Sequence, residues 1–178
     1  MKLYFVRHGQ TNANVKTTNG EASLDLDDPL NEMGMTQASM LAKDLDSVKF
    51  DAIITSPLKR AYQTAIAVNK YHNLPLNLDA AWRERRIDVA IDAGIWNDLF
   101  DFDLNLEMTG VEPLDDFFQR VYRATDALKM TYADKTVLIV SHGGVQHALY
   151  AYANNAPLTG NMRVKPMQNG EFRLFELP

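Results

Sequence analysis

The sequence predicts an α/β fold: a three-layer sandwich whose central sheet is mostly parallel, with helices on both faces and an antiparallel strand at one edge. Three observations carry this. Lys2 to Val6, Asp51 to Thr55 and Thr136 to Val140 are short apolar runs without polar alternation, the pattern of strands covered on both faces. The longer stretches between them follow a helical period, and strands alternating with helices imply parallel β-α-β units. After an Asn169-Gly170 turn the chain ends in Glu171 to Leu177, which alternates and reads as an edge strand.

The elements follow in order. Asn31 is a cap for a helix to Leu45 in which Met33, Ala38, Leu41 and Leu45 share a face. Ser56-Pro57 supplies a cap and a first-turn proline for a helix to about Asn69. Phe117, Val121, Ala124 and Leu128, spaced by four, three and four, mark another. Ile87 to Gly110 has no regular pattern and carries six acids (Asp88, Asp92, Asp98, Asp101, Asp103, Glu107) without a Lys or Arg. No repeat, low-complexity tract or linker divides the chain, so residues 1–178 are expected to form one domain.

Composition narrows the function. With 178 residues and 46% apolar content the chain can bury a sizeable core. Its net charge of -5 argues against nucleic-acid binding, and the absence of cysteine removes disulfides, thiolate nucleophiles and Cys-ligated metals. No signal-peptide or membrane-spanning run occurs, so a soluble cytoplasmic protein is expected. An acidic protein that binds phosphate must do so with a few local basic groups.

Those groups stand at strand ends. The first run ends in Arg7-His8-Gly9, the third in Ser141-His142-Gly143-Gly144, and the second leads into Ser56-Pro57-Leu58-Lys59-Arg60. Parallel sheets bind ligands outside the carboxyl ends of their strands, and a helix starting after Ser56 would place Arg60 where free N–H groups already favour an anion. Taken singly, each arginine reads as a solvated charge, each glycine as a turn residue and each histidine as a surface or metal-binding group. The metal reading is weak, because His142 and His147 are five apart and point about 140° apart on a helix. Together the three strand ends deliver Arg7, His8, Arg60 and His142 to one edge.

At these residues the chain resembles the histidine phosphatase superfamily, also called phosphoglycerate mutase-like. Arg7-His8-Gly9-Gln10-Thr11 with Asn14 is similar to its first motif, and Asp28-Pro29-Leu30-Asn31 with Gly34, Gln37 and Ala38 to its second. Ser56 to Ala65 matches S-P-L-x-R-A-x-Q-T-A throughout, Gly110-Val111-Glu112 fits a G-x-E element, and Val140 to Gly144 resembles the second histidine motif. Where the family often has D-F-G-x-W-E-G, this chain has Ile87 to Phe100, in which Gly94-Ile95-Trp96 retains only the G-x-W part.

The resemblance implies that His8 attacks phosphorus to give a phosphohistidine that water hydrolyses, while Arg7, Arg60 and His142 hold the phosphoryl oxygens. Asn14 and the Gly143 N–H add neutral donors, Gln10 and Thr11 shape the loop of the same phosphate-binding set, and Gly9 turns the chain away from the incoming group. Glu84, in Trp82-Arg83-Glu84-Arg85, is the implied general acid, or else pairs with Arg83, Arg85 or Arg86; Arg85 is a further substrate contact. Two neighbouring arginines should keep His8 neutral, whereas His142 binds phosphate better when protonated. The expected partner is a small phosphomonoester, not nucleic acid or membrane, and no metal or organic cofactor is implied.

Hydrolysis is favoured over a phosphoglycerate mutase reaction, because six carboxylates near the mouth would repel a polyanion, though screening weakens that effect. A catalytically weak phosphate-binding module is the remaining alternative. The segment's Ile91, Ile95, Trp96, Leu99, Phe100 and Phe102 would cover the site as a lid, or the segment is simply a solvated face.

Overall fold

The computed structural model describes residues 1–18, 27–91, 95–96, 98–104 and 106–177. Strands β1 (Lys2–Arg7), β2 (Ala52–Thr55), β3 (Leu76–Leu78), β4 (Thr136–Ser141) and β5 (Phe172–Glu176) form one sheet in the order β3-β2-β4-β1-β5. The pairs β2–β3, β2–β4 and β1–β4 are parallel, and β5 runs antiparallel to β1 at the edge. Successive side chains of a strand point to opposite faces, so a continuous apolar run feeds two cores. Leu3, Phe5, Ala52, Ile54, Val137 and Ile139 pack on one side with residues of α4 (Leu114–Thr131) and α5 (Gly143–Ala153). Val6, Ile53, Leu138 and Val140 pack on the other with α2 (Glu32–Asp44) and α3 (Lys59–Asn69). A short α1 (Asn12–Thr18) follows β1.

This topology makes the site. The chain leaves β2 by α3 on one face and leaves neighbouring β4 by α5 on the other, so a crevice opens beyond their carboxyl ends. His8 N–H donates to Ser141 O and Ser56 N–H to Val140 O, both at 3.0 Å, which carries the register of the three central strands into the crevice.

Several expectations are corrected. Helix α3 begins at Lys59: Leu58 is its extended cap residue, and Ser56 Oγ accepts from Leu58 N–H at 3.3 Å, holding a turn rather than capping the helix. Asn31 does cap α2, accepting from Gly34 N–H at 2.9 Å, but Met33 is 55% exposed and the buried stripe is Gly34, Ala38, Leu41 and Ala42. The rotation has a steric cause. A Cβ on Gly34 would lie 2.1 Å from Gln10 O, so only glycine lets α2 press on the loop after β1. Ala124 is partly buried, while Phe118 and Thr125 join Phe117, Val121 and Leu128 in the buried face of α4. Strand β3 was not foreseen: three residues, one of them Asn77, are too short to show a period.

The acidic segment is neither a free lid nor an acidic mouth. Ile91, Leu99 and Phe100 are buried in the core with α4 and α5, and Ile95, Trp96 and Phe102 pack against that core. Asp101 Oδ1 accepts from the N–H groups of Asp103 and Leu104, closing a surface turn. Asp92 and Gly94 lie outside the described residues.

Candidate active site

The site starts where β1 ends. His8 is 3% exposed; its Nδ1 donates to Gly9 O at 2.7 Å, which leaves the Nε2 lone pair outward. Arg60 Nε donates to that Nε2 at 3.2 Å from the first turn of α3. Burial first, then the charges of Arg60 and Arg7, hold His8 well below the ordinary imidazole range, against a smaller opposing effect of the Gly9 bond. His8 is therefore neutral, with Nε2 the acceptor nitrogen that faces Arg60. Gly9 serves a different end from the one its sequence position suggests: a Cβ there would lie 2.5 Å from Gly34 O, so this glycine admits α2 rather than the incoming group.

Arg7 donates to Met167 O through one terminal nitrogen, and its buried Nε has no hydrogen-bond partner among the described residues. It lies beside Gly143, where a Cβ would come 3.5 Å from Nε. His142, fully buried, precedes α5 as its extended cap residue; its ring centroid is 5.1 Å from that of His8, and its Nε2 meets Ser56 Oγ at 2.8 Å. Nδ1 of His142 is the second buried polar atom here with no partner among the described residues. Burial, then Arg60, His8, Arg7 and Arg83, depress its pKa as well. Burial and the surrounding arginines thus favour the neutral form of both histidines.

Glu84 is carried by a strapped loop. Ser141 Oγ donates to Trp82 O at 2.7 Å, and Arg120 donates to Ala81 O, Arg83 O and both oxygens of Glu112. The Glu84 carboxylate accepts from Gly144 N–H and from Arg85 N–H, each at 2.9 Å. A Cβ on Gly144 would lie 2.1 Å from Glu84 Oε1, so this contact requires glycine.

A cavity of about 780 Å³ joins these groups and is lined by Arg7, His8, Asn14, Arg60, Glu84, Arg85 and Gly143 among others; His142, fully buried, is not among the lining residues, its ring 5.1 Å from that of His8. Gln10 and Thr11 do not line it. Gln10 accepts from Asn31 Nδ2 and its N–H donates to Gln37, while Thr11 is fully buried and bonds Asn14 N–H, so both act on the loop alone. Asn14 Oδ1 accepts from Thr11 N–H and from Asn169 Nδ2. Arg85 borders the cavity, but its guanidinium donates to the main-chain oxygens of Glu112 and Leu99. It holds the loop rather than reaching outward.

Seven of the nine arginines line the cavity and none of the lysines do. Among the described acids of Ile87 to Gly110 only Asp88 lines it, and that carboxylate pairs with Arg86. The mouth is thus cationic, which reverses the electrostatic argument made from sequence. Sequence reasoning also missed Asn169, whose Nδ2 donates to His8 O at 3.1 Å. Its signal was topological: an antiparallel strand beside β1 must begin where β1 ends. Ser56 carried no sequence signal beyond its place in its motif, and His147 none beyond its spacing from His142.

His147, 4% exposed, is pushed down to about 4 by burial and then by Arg163, Arg7 and Arg173. The unfolded chain binds a proton at this ring near 6.5 and the folded one only near 4. Its share of stability is full above pH 6.5, declines as pH falls, and levels off below 4, a loss of ~3 kcal/mol. We expect urea midpoints to fall between pH 7 and 4, with a shallower decline in His147→Gln; an unchanged slope would refute this.

Comparison with known proteins agrees with this geometry. A family model described as "Histidine phosphatase superfamily (branch 1)" matches residues 3–177. The uncharacterized phosphatase PhoE of Bacillus subtilis is 32% identical over 144 residues, covering 81% of this chain and 72% of that protein. Phosphoserine phosphatase 1 of Hydrogenobacter thermophilus is 31% identical, covering 84% and 74%. The solved structure of the alpha-ribazole phosphatase from Shigella flexneri superposes with a TM-score of 0.83 at 28% identity, covering all of this chain and 91% of that one. No helix among the described residues is long and apolar enough to cross a membrane.

Proposed function

This chain belongs to the histidine phosphatase superfamily and is a phosphoric monoester hydrolase, and we propose that it works through a phosphohistidine formed on His8 Nε2. The observation that carries this is the fixed tautomer of a buried, neutral His8 facing a cavity with Arg60 at its Nε2. Arg60 and Arg7 Nε hold phosphoryl oxygens, as does His142 Nδ1–H, whose proton Ser56 fixes by donating to Nε2. The Gly143 N–H at the start of α5 adds a neutral donor, and Asn14 Nδ2 another.

His8 Nε2 forms a bond to phosphorus as the ester P–O bond breaks, and the departing oxygen takes a proton from Glu84. Water then attacks phosphorus, the P–N bond breaks, and the Glu84 carboxylate takes the water's proton. Gln10, Thr11 and Arg85 position the two loops without touching phosphate. Residues 1–178 form one functional unit in this reading. The relatives' names span phosphoserine and α-ribazole phosphates, so the common feature is a small phosphomonoester.

Release of inorganic phosphate from an aryl phosphate, undiminished by EDTA because arginines neutralise the charge, is the expected result. Loss of all activity with chelator, or mutase turnover of 3-phosphoglycerate without phosphate release, would overturn the reading.

A further inference from the structure

Glu84 sits on a stretch of chain with neither a helix nor a strand to hold it. It lies between a single helical turn at Ala80–Trp82 and the isolated antiparallel bridge of Ile87 to Val111, so the main-chain polar groups around it need partners from elsewhere. Side chains supply them. The three carbonyls before Glu84 are all taken: Arg120 Nη1 donates to Ala81 O at 2.8 Å and to Arg83 O at 3.1 Å, and Ser141 Oγ donates to Trp82 O between them. After Glu84, Arg86 N–H donates to Glu112 Oε2 at 3.0 Å, Glu112 N–H donates to Arg86 O at 2.8 Å, and Arg85 Nε donates to Glu112 O.

Arg120 thus grips the chain before Glu84, Glu112 grips it after, and the two are bonded to each other. Arg120 Nε and Nη2 donate to Glu112 Oε1 and Oε2 at 3.0 and 2.8 Å, a bidentate pair. Its side chains are 22% and 16% exposed. Those of the neighbouring Arg86–Asp88 pair are 58% and 41% exposed, and such solvated pairs fix little. The Arg120 guanidinium also lies over the ring of fully buried Phe117, 5.1 Å from its centroid, which ties the pair to the core side of α4. Both residues border the cavity, yet all three guanidinium nitrogens donate to the protein and both Glu112 oxygens accept from it.

We propose that Arg120 and Glu112 are positioning residues for proton transfer: their ion pair sets where the Glu84 carboxyl stands relative to the departing oxygen, and neither touches the substrate. The inference rests on the role given above to Glu84. A proton donor must lie within hydrogen-bond reach of the oxygen it serves, and a misplacement of ~1 Å can cost about 10²-fold in rate. The N–H groups of Gly144 and Arg85 hold the carboxylate itself; the pair holds the backbone that carries it.

The test compares glycerol 3-phosphate, an alkyl ester, with 4-nitrophenyl phosphate, an aryl ester, by kcat/KM for phosphate release. The aryl oxygen departs without a proton, so this ester registers a damaged pocket but not a misplaced acid. Arg120→Lys keeps the charge but cannot span a carboxylate and two carbonyls at once. Glu112→Gln keeps the length and turns one of two acceptors into a donor. Each should lower kcat/KM about ten- to a hundredfold on the alkyl ester and within about threefold on the aryl ester. In a Glu84→Gln background the same substitutions should change the alkyl value by no more than about twofold, since effects carried by one group do not add. Either variant suffices where the other does not fold; failure of both to fold would make the pair a requirement of the fold and overturn its positioning role. Equal losses on both esters, or the full further loss in the Glu84→Gln background, would overturn it too, because the pair would then act on the pocket or the substrate directly. If Glu84→Gln lowers the alkyl value selectively while both pair variants match the wild type, the positioning claim alone falls. If Glu84→Gln leaves the two esters in their wild-type ratio, the assignment of Glu84 falls and the positioning claim falls with it.

Discussion

His8→Ala is expected to lower kcat by about 10⁴- to 10⁶-fold, the scale on which loss of a covalent nucleophile is felt. No neighbouring side chain can replace it. His142 is fully buried and its Nε2 is engaged with Ser56, and Glu84 is tied to two main-chain N–H groups. The variant should still bind phosphate, since Arg7, Arg60 and Gly143 are untouched; retained inhibition by inorganic phosphate distinguishes lost chemistry from a collapsed pocket. Removing the imidazole leaves Arg60 Nε without its 3.2 Å acceptor, at a cost of about 1–3 kcal/mol, so melting should be measured alongside. The wild type quenched during turnover should carry a phosphoryl label that survives alkali and is lost in acid, as a P–N bond requires. A variant keeping most of its activity, or a label that survives acid, would refute the assignment.

The parts of this site that were legible in the sequence are those where one residue type has one job at a strand end. Arg7, His8, Arg60 and His142 follow three apolar runs, and a parallel sheet has no alternative but to gather such ends at one edge. What was illegible depended on distances between segments far apart in the chain. Gly9 and Gly34 look like turn glycines in isolation, and only the approach of α2 to the first loop shows that each makes room for the other. The acidic run from Ile87 to Gly110 suggested an acidic mouth because sequence counts charges without direction. In the fold its apolar residues turn inward, Asp101 closes a turn, and the cavity rim is made by arginines from five other segments of chain. Arg85 shows the same limit, since its neighbours in sequence say nothing of the carbonyls of Leu99 and Glu112 that occupy it.

Glu84→Gln should lower kcat/KM, which reports phosphoryl transfer to His8, about 10²- to 10⁴-fold on alkyl phosphates, the range of general acid catalysis, and far less on aryl phosphates, whose leaving oxygen departs without a proton. Gly144→Ala should reproduce that pattern without altering any ionisable group. Its Cβ would meet Glu84 Oε1 at 2.1 Å, Cδ at 3.0 Å and Phe100 Cζ at 3.2 Å. Backbone fixes Gly144 at the start of α5, so the carboxylate must move, and it loses the 2.9 Å bond from Gly144 N–H as it does. Overpacking of this kind costs about 1–3 kcal/mol in stability, a loss that depresses both substrates alike. The ratio of alkyl to aryl kcat/KM is therefore the discriminating measurement. A ratio that falls in both variants places the proton on Glu84 and makes Gly144 the residue that positions it. A ratio unchanged in Glu84→Gln would remove the carboxylate from the chemistry and reduce the 81–85 loop to a wall of the cavity.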